Sequence, residues 1–190
     1  GGIGSGKSTV AGLLVAQGAC LVDTDAIARA LTLPGGAAMP AVSRAFGAGA
    51  VAADGALDRS FMRQLVFQDP AAKLRLEAIL HPRIRDVAHA RVEQACGEAP
   101  YVVLVVPLLV ESGAYRNRVQ RVAVVDCPEA VQEARVMARS GLSAEEARTI
   151  MAAQVDRKAR LAVAEAVLQA LDSRVPRTRY PVTVPAKLFR

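Results

Sequence analysis

The first eight residues, Gly1-Gly2-Ile3-Gly4-Ser5-Gly6-Lys7-Ser8, have the spacing GxxxxGK[ST] and run straight into a helical pattern. Glycines at these positions let the backbone wrap around a β-phosphate with consecutive N–H groups pointing inward. The positive end of the following helix adds to that field. Residues Gly2 to Thr9 are therefore expected to cradle a nucleoside triphosphate. Lys7 would bridge its β- and γ-phosphates, and the Ser8 hydroxyl would ligate Mg²⁺. The plainer alternative is a glycine-rich turn that caps a helix. Four fixed positions followed by a helix in the right place favour the phosphate loop.

Other residues could complete such chemistry. Asp25 closes the second strand-like region, at the carboxyl edge where parallel sheets bind ligands. A carboxylate there can take the proton of an attacking hydroxyl. Its competing reading is the N-cap of a helix beginning Ala26-Ile27. Arg135 and Arg139 are four apart, so one anion could meet both guanidinium groups, although a solvated helix face is the alternative. Gln154 falls on a stripe with Ala147, Ile150, Met151 and Leu161. An amide on an apolar stripe needs partners, which a nucleotide or an arginine could supply. Arg157 and Arg160 lie three apart on the same expected helix, where contact of this cluster with the anionic nucleotide is the functional reading and packing with solvation the alternative. His81, before Pro82, reads as a helix-end residue.

The elements that must position these groups follow from the pattern. Cys20–Val22, Tyr101–Val106 and Val122–Val125 are short apolar runs ending in Asp or Pro, as buried parallel strands do. Between them lie helical stretches. One spans Lys7–Gln17 and stops at Gly18. Another opens with Asp69-Pro70 and should run to Leu80, before Pro82. A third starts at the capping box Ser143–Glu146 and should reach Arg160. This alternation predicts an α/β fold with a parallel sheet. The nearly eighty residues between the first two strands contain no strand-like run and read as a helical insertion.

Composition excludes several classes. At 190 residues and 52% hydrophobic content the chain is long and apolar enough for a core, with mean hydropathy +0.24. The longest apolar run, Tyr101 to Val110, is broken by Pro107 and falls short of the about 20 residues a bilayer span needs. No basic-then-apolar leader precedes the loop. Cys20, Cys96 and Cys127 are odd in number and far apart, so neither a disulfide framework nor a CxxC metal knuckle is expected, and a reducing, cytoplasmic setting is. The net charge of +6 is concentrated in residues 172–190, which hold +4 of it. With seven aromatics and no Trp, no nucleic-acid partner is expected. That Pro- and Arg-rich tail has no helical period and is expected to be loosely attached.

Several segments together resemble the dephospho-coenzyme A kinase family. They are Gly2–Ala11, Leu21–Arg29 with its Asp23-Thr-Asp25, Leu80-His81-Pro82-Arg83-Ile84-Arg85, Val105-Val-Pro107-Leu108-Leu-Val-Glu111, Val124–Glu129, Ala134–Arg139 and Met151-Ala-Ala-Gln154. The resemblance runs in order from Gly1 to about Val167. It implies a three-layer P-loop kinase with a parallel sheet, a helical acceptor-binding insertion (32–99) and a helical lid (about 135–158). The core would be 1–31 and 100–171 of a single domain.

The resemblance also implies transfer of the γ-phosphate of ATP, with Mg²⁺, to the ribose 3′-hydroxyl of dephospho-coenzyme A. Asp25 would be the base, with Asp23 structural. Lys7 and Arg135 would be catalytic, Arg135 reaching the phosphates from the lid. Arg139 and Gln154 would contact the nucleotide, and His81, Pro107 and Leu108 the acceptor. Alternative acceptors, such as a nucleoside, nucleotide or small alcohol, and a non-catalytic nucleotide binder remain as other readings. The chain departs from the family pattern at Ala164–Ala170, where a closing Asp and Asn are missing. A strand of about five or six residues is expected before a phosphate loop, so the chain is expected to be a shortened form of a longer protein.

Overall fold

A turn of the Schellman type ends the first helix and aims the chain into the first strand. Gly18 N–H bonds Val15 O at 2.9 Å and Ala19 N–H bonds Leu14 O at 3.1 Å. The helix is α1 (Lys7–Ala16) and the strand is β1 (Cys20–Asp23). The computed structural model describes residues 1–107, 109–113, 115 and 118–169. Leu108 and the 172–190 tail lie outside the described residues.

The chain divides into two compact units, Val22–Leu104 and a second formed by Gly1–Leu21 with the described residues from Val105 onward. In the first of these, Asp23 ends β1 and caps α2 (Thr24–Leu31). There follow α3 (Met39–Phe46), a 3₁₀ turn at Ala48–Ala50, α4 (Arg59–Gln68) and α5 (Pro70–Ala95), and then β2 (Val102–Val105), the hydrogen-bonded neighbour of β1. Apart from β1 and β2, extended pairing among the unit's described residues is a single bridge, Val51 to Leu57. Val22, Ile27, Leu31, Met39, Val42 and Met62 form its core. Asp58 and Asp69 cap α4 and α5 by accepting the N–H groups of Phe61 and Ala71.

The helix opened by Asp69-Pro70 does not stop before Pro82. It continues to Ala95 with the proline inside it. An interior proline costs about 3 kcal/mol through its missing N–H and its clash with the preceding turn. Two things offset this. Leu76, Ile79, Leu80, Ile84 and Val87 pack against the core from both sides of the proline, and each buried apolar side chain contributes about 1.5–3 kcal/mol when fully covered. The Arg83 guanidinium also donates to Ile79 O at 2.7 Å, beside the interrupted ladder.

The other unit holds α1, α6 (Leu109–Ser112), β3 (Ala123–Asp126), α7 (Glu129–Ser140), α8 (Ala144–Ala152), α9 (Arg157–Ala162) and β4 (Ala166–Gln169). Strands β3 and β4 are parallel, with Ala123 opposite Ala166 and Asp126 opposite Gln169. The strand at 166–169 forms without the Asp and Asn missing from its sequence. The capping box at Ser143 is present in full. Its helix ends at Ala152 rather than reaching Arg160. Gln154 N–H turns back to Met151 O, and Asp156 starts a new helix by accepting the Ala159 N–H at 2.6 Å. A short carboxylate that bonds nearby backbone competes with helix continuation, and here it wins.

Candidate active site

The glycine-rich loop sits at the N-terminus of α1, and α7 lies over it. Gly4, at φ 71°, is in the left-handed region, and a methyl group there would stand 2.5 Å from Gln132 O. No side chain fits between loop and helix. Gln132 is buried, and its Nε2 donates to Cys127 O at 2.6 Å, fixing the start of α7 to the end of β3. Three residues on, Arg135 reaches back. Its Nη1 donates to Gly4 O at 3.4 Å and lies 3.5 Å from Cys127 Sγ.

Lys7 folds over the start of the loop. Its ammonium donates to Gly1 O and Gly2 O, both at 2.9 Å. Ser8 and Thr9 are exposed in the first turn of α1, where helix N–H groups have no intrahelical partner. Ile3 N–H donates to Gln154 Oε1 at 2.9 Å. Gln154 is thus not on a helical stripe. It lies in the break between α8 and α9, and a partner of its amide oxygen is the loop backbone. Arg160 donates to Val155 O in the same break, and a methyl group at Gly2 would stand 3.2 Å from its Nη2.

Arg157 has a different task from the nucleotide contact considered for it. It grips the buried carboxylate of Asp126 with two bonds, 2.8 and 2.6 Å, and the bonded carboxylate holds its guanidinium pKa above the ordinary value. Arg139 is exposed in the last turn of α7, well placed for the negative end of that helix. Pro107 follows β2 in a turn.

In the other unit, Asp25 is exposed at the second position of α2. It does not cap that helix. Asp23 does, accepting the N–H groups of Asp25 at 2.8 Å and Ala26 at 3.3 Å. His81 is exposed in the middle of α5, not at a helix end. The structure thus gathers the loop, Arg135, Gln154 and Arg160 in one unit, and carries Asp25 and His81 in the other.

Gln132 and Cys127 were not singled out from the sequence. Gln132 had a usable signal, because it is four residues before the buried Val136 on α7, the same amide-on-an-apolar-face logic applied to Gln154. Cys127 carried none. Among the described residues no three His, Cys, Asp or Glu side chains cluster as metal ligands, and no helix is long and apolar enough to cross a membrane.

The chain is similar to known proteins in sequence and in fold. A family model described as dephospho-CoA kinase matches residues 1–174. The chain belongs to the dephospho-CoA kinase family. It is 61% identical to a dephospho-CoA kinase of Dechloromonas aromatica over 168 residues, covering 88% of this chain and 80% of that protein. It is 58% identical to one from Burkholderia lata, covering 88% and 82%. Among solved structures, a Thermus thermophilus protein is 38% identical with TM-score 0.78, covering 90% of this chain and 86% of that one. A dephospho-CoA kinase from Campylobacter jejuni is 26% identical with TM-score 0.60, covering 89% and 84%. Fold and function therefore agree with the sequence reading: an α/β kinase with parallel strands, a phosphotransferase with an alcohol acceptor and ATP as donor. Neither a different acceptor nor a non-catalytic role is favoured.

Proposed function

We propose that the loop Gly2–Thr9 holds the triphosphate of ATP while Asp25 deprotonates the ribose 3′-hydroxyl of dephospho-coenzyme A. The hydroxyl oxygen attacks the γ-phosphorus, its proton passes to the Asp25 carboxylate, and the bond to the β,γ-bridging oxygen breaks to release ADP. The observation that carries this reading is the convergence of Lys7 and Arg135 on the backbone of one glycine loop. Both cations rest on loop carbonyls, weak partners that phosphate oxygens can replace with charge-assisted bonds.

Mg²⁺ accompanies ATP as part of the substrate. The exposed Ser8 hydroxyl is a suitable protein ligand for an ion that phosphate oxygens and water also hold. Arg139 adds positive charge at the end of α7. His81, Pro107 and Leu108 belong to the acceptor side of this reading, with residues 32–99 as the acceptor-binding insertion and about 135–158 as the lid. A cytoplasmic protein with no nucleic-acid partner completes it.

A coupled ADP-release assay over a panel of acceptors tests the proposal. ADP release is expected with dephospho-coenzyme A and not with nucleosides, nucleoside monophosphates or small alcohols. Equal turnover of another acceptor, or none with dephospho-coenzyme A, overturns it.

A further inference from the structure

We infer that Gln154 is a positioning residue for the phosphate loop: its amide oxygen holds the Ile3 N–H and thereby sets the loop for the triphosphate without touching it. The inference rests on the reading of the loop as an ATP site.

Residues 3 and 154 are joined by a part-buried bond of 2.9 Å across 151 positions of sequence. Gln154 is itself held from both sides. Its own N–H bonds Met151 O at 3.2 Å, Ala153 N–H bonds Thr149 O at 3.1 Å, and the Asp156 cap begins α9 two residues later. The neighbouring loop residue meets the same segment, since the Arg160 guanidinium lies against Gly2 and donates to Val155 O. Two consecutive loop residues are thus met by two side chains from 154–160.

This matters because glycine-rich backbone loses the most conformational freedom on ordering. A loop held in place before the ligand arrives spares that loss at binding. A neutral amide suits the task. It accepts one N–H without bringing negative charge beside a triphosphate, as a carboxylate would.

The test uses the full chain with Gln154→Met, which keeps the reach and removes the acceptor, and Gln154→Glu, which keeps an acceptor oxygen. Amide exchange at Ile3 is followed by NMR without nucleotide, with Val10 as a reference inside α1. In Gln154→Met, Ile3 is expected to exchange about tenfold faster than in the parent while Val10 is unchanged, and Gln154→Glu is expected to restore protection. ATP binding and its KM are expected to weaken about three- to tenfold in Gln154→Met, the scale of one hydrogen bond, with kcat at saturating ATP and the acceptor KM nearly unchanged. Unaltered Ile3 exchange overturns the inference, as does unaltered ATP affinity, or a kcat loss at constant ATP KM. A parent chain that binds no ATP overturns the reading of the loop as well, whereas a parent that binds and a Met variant that binds equally overturn only the role of Gln154.

Discussion

Asp23 holds Asp25: its carboxylate accepts the Asp25 N–H at 2.8 Å, so the capping of α2 falls to the first aspartate of the pair and not to the second. The two carboxylates therefore have separable duties. Asp25→Asn is expected to lower kcat by about 10²–10⁴-fold, the usual contribution of a general base, with ATP affinity within about twofold of the parent. Steady-state kinetics beside calorimetric ATP binding check this. An unchanged kcat removes Asp25 from the chemistry.

Lys7→Ala is expected to abolish ATP-dependent turnover while helix content by circular dichroism stays near that of the parent. The substitution removes the ammonium from Gly1 O and Gly2 O, which remain near the start of the loop. It leaves the α1 backbone bonds in place. Full turnover in this variant would show that the loop does not grip the transferred group.

The pair of Arg157 and Asp126 is asymmetric, and so is the prediction. Asp126 is 5% exposed at its side chain and Arg157 49%. Removing the arginine deprives a buried carboxylate of its bidentate partner, whereas removing the carboxylate leaves a guanidinium that water can reach. Arg157→Ala is therefore expected to lower the Tm more than Asp126→Ala. Thermal unfolding of both variants checks the order, and the reverse order refutes the argument.

The capping box of α8 gives a pH dependence. Ser143 donates to Glu146 from its N–H and its hydroxyl, both at 2.8 Å, and these bonds hold the Glu146 pKa below its ordinary 4.5. With the folded value depressed, the stabilisation is complete above pH 4.5 and is lost as pH falls through the lower, folded value. Ser143→Ala is expected to cost about 0.5–2 kcal/mol near neutral pH through loss of the capping hydroxyl. Glu146→Gln, which keeps an acceptor oxygen but removes the titrating carboxylate, is expected to flatten the acid limb of a stability–pH profile. A limb as steep as the parent's would assign the acid sensitivity elsewhere.

Local signals were legible in the sequence, and signals that depend on distant packing were not. The loop motif and the three apolar runs lie within about a residue of α1, β1, β2 and β3, because glycine, capping and burial patterns act over a few positions. Pro82 misled, since its local penalty is visible in sequence while the core contacts that outweigh it come from other helices. Asp156 misled in the opposite direction. It is a good cap embedded in a helical period, and only the structure shows that the cap prevails. Arg157 had the right spacing for an anion, but its anion is the chain's own carboxylate. The loop partners of Gln154 and Arg135 join residues more than 130 apart, which no short-range pattern encodes.

Gly4 also sets a tolerance for the machinery above it. With bare backbone facing Gln132, the overlying helix rides at a height fixed by one absent carbon. Widening that gap by a methyl would lift the platform from which Arg135 extends, so the shape of the cradle and the reach of its cation are gauged by the same spacer and cannot be adjusted separately.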